Sequence, residues 1–169
     1  MMLTESVSHR KEGFMYKKIL VTLDGSELSE CVLPHLGAFR KGFPECEIVL
    51  LRVVESMDST VAAHADVISP DQWKARENAM VVAAGDYLRE VADRLGRDGA
   101  SILAKVISGR VEDRIIDYAR EEGVDLIIMA THGRSGVSRW VRGSIADKVL
   151  RMAHIPILMV RAPGTKEGD

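Results

Sequence analysis

Val-Asp-Leu-Ile-Ile-Met-Ala-Thr-His-Gly-Arg-Ser-Gly-Val-Ser-Arg-Trp-Val-Arg-Gly-Ser occupies residues 124–144, and its three parts decide the fold. Val124 to Ala130 is a near-continuous apolar run, the pattern of a strand buried on both faces of a parallel sheet. Ser144 opens an amphipathic helix that runs to about Ala153. Between them hangs a loop punctuated by Gly133, Gly136 and Gly143 and carrying Arg134, Arg139 and Arg142. Glycine lets backbone N–H groups approach a ligand closely, and the first amides of the helix have no partner inside it, so a phosphate suits this place. A plain strand-to-helix connection is the alternative. Turn chemistry alone, however, calls for neither three arginines nor a Gly-Ser at a helix start.

Outward from this stretch, apolar strands alternate with helical periods. Tyr16 to Leu23 reads as a buried strand ending in the turn and cap Asp24-Gly25-Ser26, with a helix from about Ser26 to Arg40. Glu47 to Val54 is a second buried strand, and Glu55 to Ile68 is an irregular connection. Ser69-Pro70-Asp71-Gln72 starts a long helix, with proline at its first position and Gln72 reaching back to the cap; it extends to about Arg97 and is closed by Gly99. Ala100 to Ile107 is a third strand. Arg110 to Glu122 is a helix with Val111, Ile115, Ile116 and Ala119 on one face, stopped by Gly123, and Pro156 to Arg161 is the fifth strand. Such alternation predicts an α/β fold: a doubly wound, five-stranded parallel sheet in three layers. Ligands of such folds bind at the carboxyl ends of the strands where chain order reverses, which brings Thr22, Leu23 and Asp24 to the loop after Met129 and Ala130. Asp24 fits a group that accepts hydrogen bonds from ribose hydroxyls or holds a metal through water; equally, it fits a turn aspartate bonding the amides of Gly25 and Ser26.

Composition sets the bounds. At 169 residues, 46% apolar and only 5% aromatic, the chain suits one aliphatic α/β domain over 15–162, with an extension over 1–14 and a polar tail over 163–169. A net charge of -2, from 23 basic and 25 acidic residues, leaves no footprint for general nucleic-acid binding. No apolar run approaches a membrane span, and Met1 to Gly13 lacks a signal-type apolar core, so the expected location is the cytoplasm. Cys31 and Cys46 have no metal-ligand spacing and read as reduced thiols; no metal site is expected from the protein's own ligands.

At Ile19-Leu20-Val21-Thr22-Leu23-Asp24-Gly25-Ser26, Leu51-Arg52-Val53-Val54, Thr131 to Ser144 and Ile155-Pro156-Ile157-Leu158-Met159-Val160-Arg161, the chain resembles the universal stress proteins, over about Tyr16 to Arg161. The nucleotide-binding branch of that family carries Gly-x2-Gly-x9-Gly-Ser/Thr. Here Ala130 stands at the first glycine, while Gly133, Gly143 and Ser144 match. The resemblance implies a site for ATP, or for AMP or ADP, with Mg2+ as an open companion. It sets the backbone of Val53 against adenine, Asp24 near ribose, and Gly133, Gly143, Ser144 and Ile145 around the phosphates. Alanine at 130 is tolerable if the glycine serves close approach, and costly if that position needs positive φ. In the order 3-2-1-4-5, the apolar strand Ile155 to Arg161 lies at an exposed edge, and both this and the resemblance imply a homodimer through it.

His132 has no nucleophile or carboxylate partner at readable spacing and is read as a loop histidine bonding locally or touching phosphate. Ser135 and Ser138 are read as polar loop residues, and Trp140 and Val141 as anchors of the loop. Three functions remain. The first is a regulatory nucleotide-binding dimer with at most slow hydrolysis and an unknown protein partner, since no general base for water is in view. The second is an ATP-using enzyme on the same fold, which lacks support because the Ser-Gly-Gly-x-Asp-Ser, P-loop and kinase signatures are missing. The third is an interaction module without nucleotide.

Overall fold

The computed structural model describes residues 15–56, 69–96, 101–131 and 144–161. Five strands, β1 (Lys18–Thr22), β2 (Glu47–Val54), β3 (Ile102–Ser108), β4 (Leu126–Ala130) and β5 (Ile157–Val160), pair in parallel in the order β3-β2-β1-β4-β5. This is the predicted sheet. Successive side chains of a strand point to opposite faces, so β1 feeds two cores. Ile19, Val21 and Leu23 meet Ile48 and Leu50 of β2, Leu126 and Ile128 of β4, Leu36 of helix α1 (Leu33–Gly42) and Leu88 and Val91 of helix α2 (Pro70–Leu95). Leu20 joins Val49, Leu51, Ile127 and Met129 against Ile115 and Ala119 of helix α3 (Val111–Glu121) and Ala146 and Val149 of helix α4 (Ser144–Met152). Each fully buried aliphatic side chain contributes roughly 1.5–3 kcal/mol before the entropy of ordering it is subtracted.

Two helix boundaries differ from expectation. The helix expected over Ser26 to Arg40 is divided: Ser29–Val32 is a 3-10 turn, and α1 starts at Leu33 and runs to Gly42. Pro34, in the first turn, has no N–H to bond back to residue 30 and crowds the turn before it. Ser29, Glu30 and Cys31 accordingly donate three residues back, to Ser26, Glu27 and Leu28, at 3.1, 3.2 and 3.4 Å. Helix α2 starts with the expected box: Ser69 Oγ accepts from the Gln72 amide (3.3 Å) and Gln72 Oε1 from the Ser69 amide (3.2 Å). It ends at Leu95, not Arg97, because Gly96 at φ 72° terminates it before Gly99, which lies outside the described residues.

The amino edge of the sheet is tied by one side chain. Asp125 Oδ2 accepts from the amides of Lys17 (2.8 Å) and Lys18 (3.0 Å), while the Asp125 amide donates to the Lys18 carbonyl (2.9 Å). Among the described residues, no helix is long and apolar enough to cross a membrane.

Candidate functional site

The chain leaves β1 toward β2 on one side and returns, through β3, to β4 on the other, so the carboxyl ends of β1 and β4 lie at the switch point of the sheet, where folds of this kind open a crevice for ligands. The β1–β4 register runs from Ile19↔Leu126 to Val21↔Ile128. Thr22, Leu23 and Asp24 follow on one wall, Met129 and Ala130 on the other. Ser144 and Ile145 start α4 at the same edge of the sheet, and Val53 stands near the end of β2. His132, Gly133, Arg134, Gly136 and Gly143 lie outside the described residues, as do Ser135, Ser138, Trp140 and Val141.

The strand ends have chemistry of their own. Leu23 N–H donates to Leu51 C=O (2.9 Å) as β1 leaves the ladder, and Gly109 N–H donates to Val54 C=O (3.0 Å) on the β3 side. Because strand polar groups alternate sides, the amide and carbonyl of Val53 face the side that β1 has left. A donor and an acceptor spaced like this fit the N1/N6 edge of a purine. Ala130 is paired with Val160 inside β4, and its extended backbone is one that any residue adopts, so alanine meets no conformational penalty there. At the first turn of α4, amides without in-helix partners face the same edge, the donor set that phosphate oxygens require.

Asp24 sits in a built turn. Its Oδ1 accepts from the Ser26 amide (2.9 Å) and the Ser26 hydroxyl (2.6 Å), and its own amide donates to Ser29 Oγ (3.3 Å). The turn-aspartate geometry is therefore present, through Ser26. Gly25 carries φ 83°, and a Cβ placed on it would lie 2.7 Å from Arg52 Nη1 and 2.8 Å from its guanidinium carbon. That guanidinium carbon lies 5.3 Å from the centre of the Tyr87 ring. Tyr87 in turn donates to Glu30 Oε1 (3.0 Å), whose Oε2 accepts from Arg94 (2.9 Å). Burial, then the Glu30 hydrogen bond and charge, push the Tyr87 phenol far above its ordinary range, so it remains a neutral donor. Arg52 and Tyr87 were not among the expected site residues. The legible signal was an arginine inside the otherwise apolar run of β2.

On the opposite face, Glu112 is 5% exposed, between α3 and α4. Its Oε1 accepts from Lys148 Nζ (2.6 Å) and Arg110 Nε (2.9 Å). The Lys148 hydrogen bond chiefly holds the carboxyl below its ordinary range, against the opposing cost of burial. Cys31 and Cys46 are free, and burial raises both thiols, which keeps them protonated and weakly nucleophilic.

The model of the Universal stress protein family matches residues 15–161. A universal stress protein of Methanocaldococcus jannaschii is 28% identical over 149 residues, 88% of this chain and 84% of that protein. The solved structure of a second universal stress protein of that archaeon superposes with a TM-score of 0.75 at 26% identity, covering 92% of this chain and 100% of that one. A universal stress protein solved in complex with cAMP shares the fold (TM-score 0.60, 21% identity, 87% and 98% coverage), as does one from Archaeoglobus fulgidus in complex with dAMP (TM-score 0.58, 17% identity, 86% and 98% coverage).

Proposed function

The chain belongs to the universal stress protein family, and from that premise we propose that it binds an adenine nucleotide, ATP foremost, in the crevice between the β1 and β4 ends and acts as a regulatory dimer in the cytoplasm. The observation that carries this reading is the meeting at one sheet edge of Asp24, the Val53 backbone, Ala130 and the amino end of α4. Members of the fold solved with cAMP and with dAMP support the ligand class. In the binding pose we propose, the Val53 amide and carbonyl pair with the adenine edge, and Asp24 accepts from ribose hydroxyls. Gly133, Gly136, Gly143, Ser144 and Ile145 surround the phosphates through their amides, with His132 and Arg134 beside them, and Thr22, Leu23, Met129 and Ala130 line the walls. A bound nucleotide would supply negative charge that the loop arginines neutralise, with or without Mg2+. Binding of this kind stabilises ground-state phosphate and supplies no base for water, so hydrolysis is at most slow.

The dimer reading rests on β5. All four of its residues are half-buried and none is charged, whereas the other edge, β3, carries Lys105 in its centre. Pro156 C=O accepts from Ile127 (3.0 Å) and Val160 C=O from Thr131 (2.8 Å), so the polar groups of Ile157 and Met159 point outward, available to a two-fold copy.

Calorimetric titration of nucleotide-stripped protein with ATP, ADP, AMP and cyclic AMP, with and without magnesium, tests the reading. Saturable micromolar binding of one of them is expected, and abolition by Gly143→Val in a folded protein would place the phosphates at α4. Absence of heat for all four would leave a protein-interaction module.

A further inference from the structure

We infer that Arg52 and Tyr87 are positioning residues for the turn that presents Asp24, an inference that rests on the nucleotide reading and deepens it. Contacts of two kinds shape the Asp24-Gly25-Ser26 turn. One is internal, the pair of Ser26 hydrogen bonds to Asp24 Oδ1. The other is external: the Arg52 guanidinium fills the space that any side chain at position 25 would need, at 2.7–3.0 Å from the Cβ site. Glycine at 25 is required by its φ of 83°, and a side chain there would also have to displace the Arg52 guanidinium.

A flexible arginine makes a poor wall unless something holds it. Tyr87 does so, with its ring 5.3 Å from the guanidinium carbon and its own position fixed by the hydroxyl bond to Glu30, which Arg94 also grips. Because Tyr87 and Arg94 belong to α2, the ribose-side wall of the crevice is referenced to that helix as well as to β1. A planar guanidinium can lie against a glycine backbone and a ring together; an ammonium cannot, so lysine does not replace it.

The consequence separates by ligand part. Asp24 is assigned to ribose, so loss of its positioning weakens adenosine, AMP and ATP by the same factor. Arg52→Ala, Arg52→Lys and Tyr87→Leu are each expected to weaken all three about tenfold, the size of a partly desolvated cation–π contact, whereas Tyr87→Phe, which keeps the ring and loses only the hydroxyl bond to Glu30, is expected to show a smaller loss. Titration calorimetry well below each variant's melting temperature reads this independently of stability. A second readout is the cycle of Gly25→Ala with Arg52→Ala: the glycine change should cost more affinity beside Arg52 than beside alanine. Undiminished binding by Arg52→Ala, or strict additivity in the cycle, overturns the inference alone. A loss that grows with the number of phosphates overturns it in favour of a direct charge effect. No binding by the unsubstituted chain overturns the nucleotide reading and this inference together.

Discussion

Lys148 and Glu112 show how far one buried charge governs its surroundings. Lys148→Met leaves a carboxylate that is almost wholly buried with Arg110 as its cation among the described residues, and is expected to cost about 1–2 kcal/mol at neutral pH, a value kept low because Lys148 itself is 46% exposed. The pH dependence has a definite sign. Glu112 has its carboxyl lowered in the folded chain, so its contribution is complete above the ordinary value of 4.5 and is lost as pH falls below it. Urea unfolding of Glu112→Gln should therefore be less stable than the parent at pH 7, with the gap closing toward pH 3; a constant gap would assign the acid sensitivity to other carboxylates. Glu112 was readable in principle. It precedes Ile115 by three and Ile116 by four, and so falls on the apolar stripe of α3, where a charge signals a partner. The partner itself was not readable, since Lys148 reaches it only because α4 lies on α3. The same holds for Arg52: its oddity in β2 is in the sequence, but Tyr87, thirty-five positions on, is supplied by packing.

At the scale of elements, strands were legible because burial on both faces demands unbroken aliphatic runs, as in Ile48 to Leu51. Helix limits were less so, because they depend on which of several punctuating residues acts first: Pro34 postponed α1, and Gly96 pre-empted Gly99. The β5 edge carries a prediction of the same local kind. Proline at 159 removes an N–H that points outward and leaves the bonds to β4, whose partners are the carbonyls of Pro156 and Val160. The parent is expected to sediment as a dimer at micromolar concentration and Met159→Pro as a monomer, with its fold retained by circular dichroism. A variant that still sediments as a dimer would move the interface elsewhere.

For the whole molecule, a ligand that binds only the folded chain stabilises it by mass action. At a hundred times Kd the gain is about 2.7 kcal/mol, which for a domain of this size raises the melting temperature by roughly 5–10 °C. Scanning calorimetry with increasing ATP should show that rise, and a flat melting temperature would contradict binding to the native state. The proposed crevice draws on positions 22–24, 53, 129–130 and 144–145; the adjacency of β1 and β4 on which it depends was legible because right-handed crossovers leave few topologies for this alternation. The Asp125 tie has a bearing on where that crevice lies. β1 is aliphatic on both faces, so sliding it one residue would exchange Ile19 and Val21 for Leu20 with little loss of apolar burial. It would, however, separate the Lys17 and Lys18 amides from their carboxylate and carry Asp24 about 3.3 Å along its axis. Asp125 therefore acts as the zero mark of a ruler whose other end is Asp24, and the far side of the sheet determines the coordinate of the proposed ribose contact.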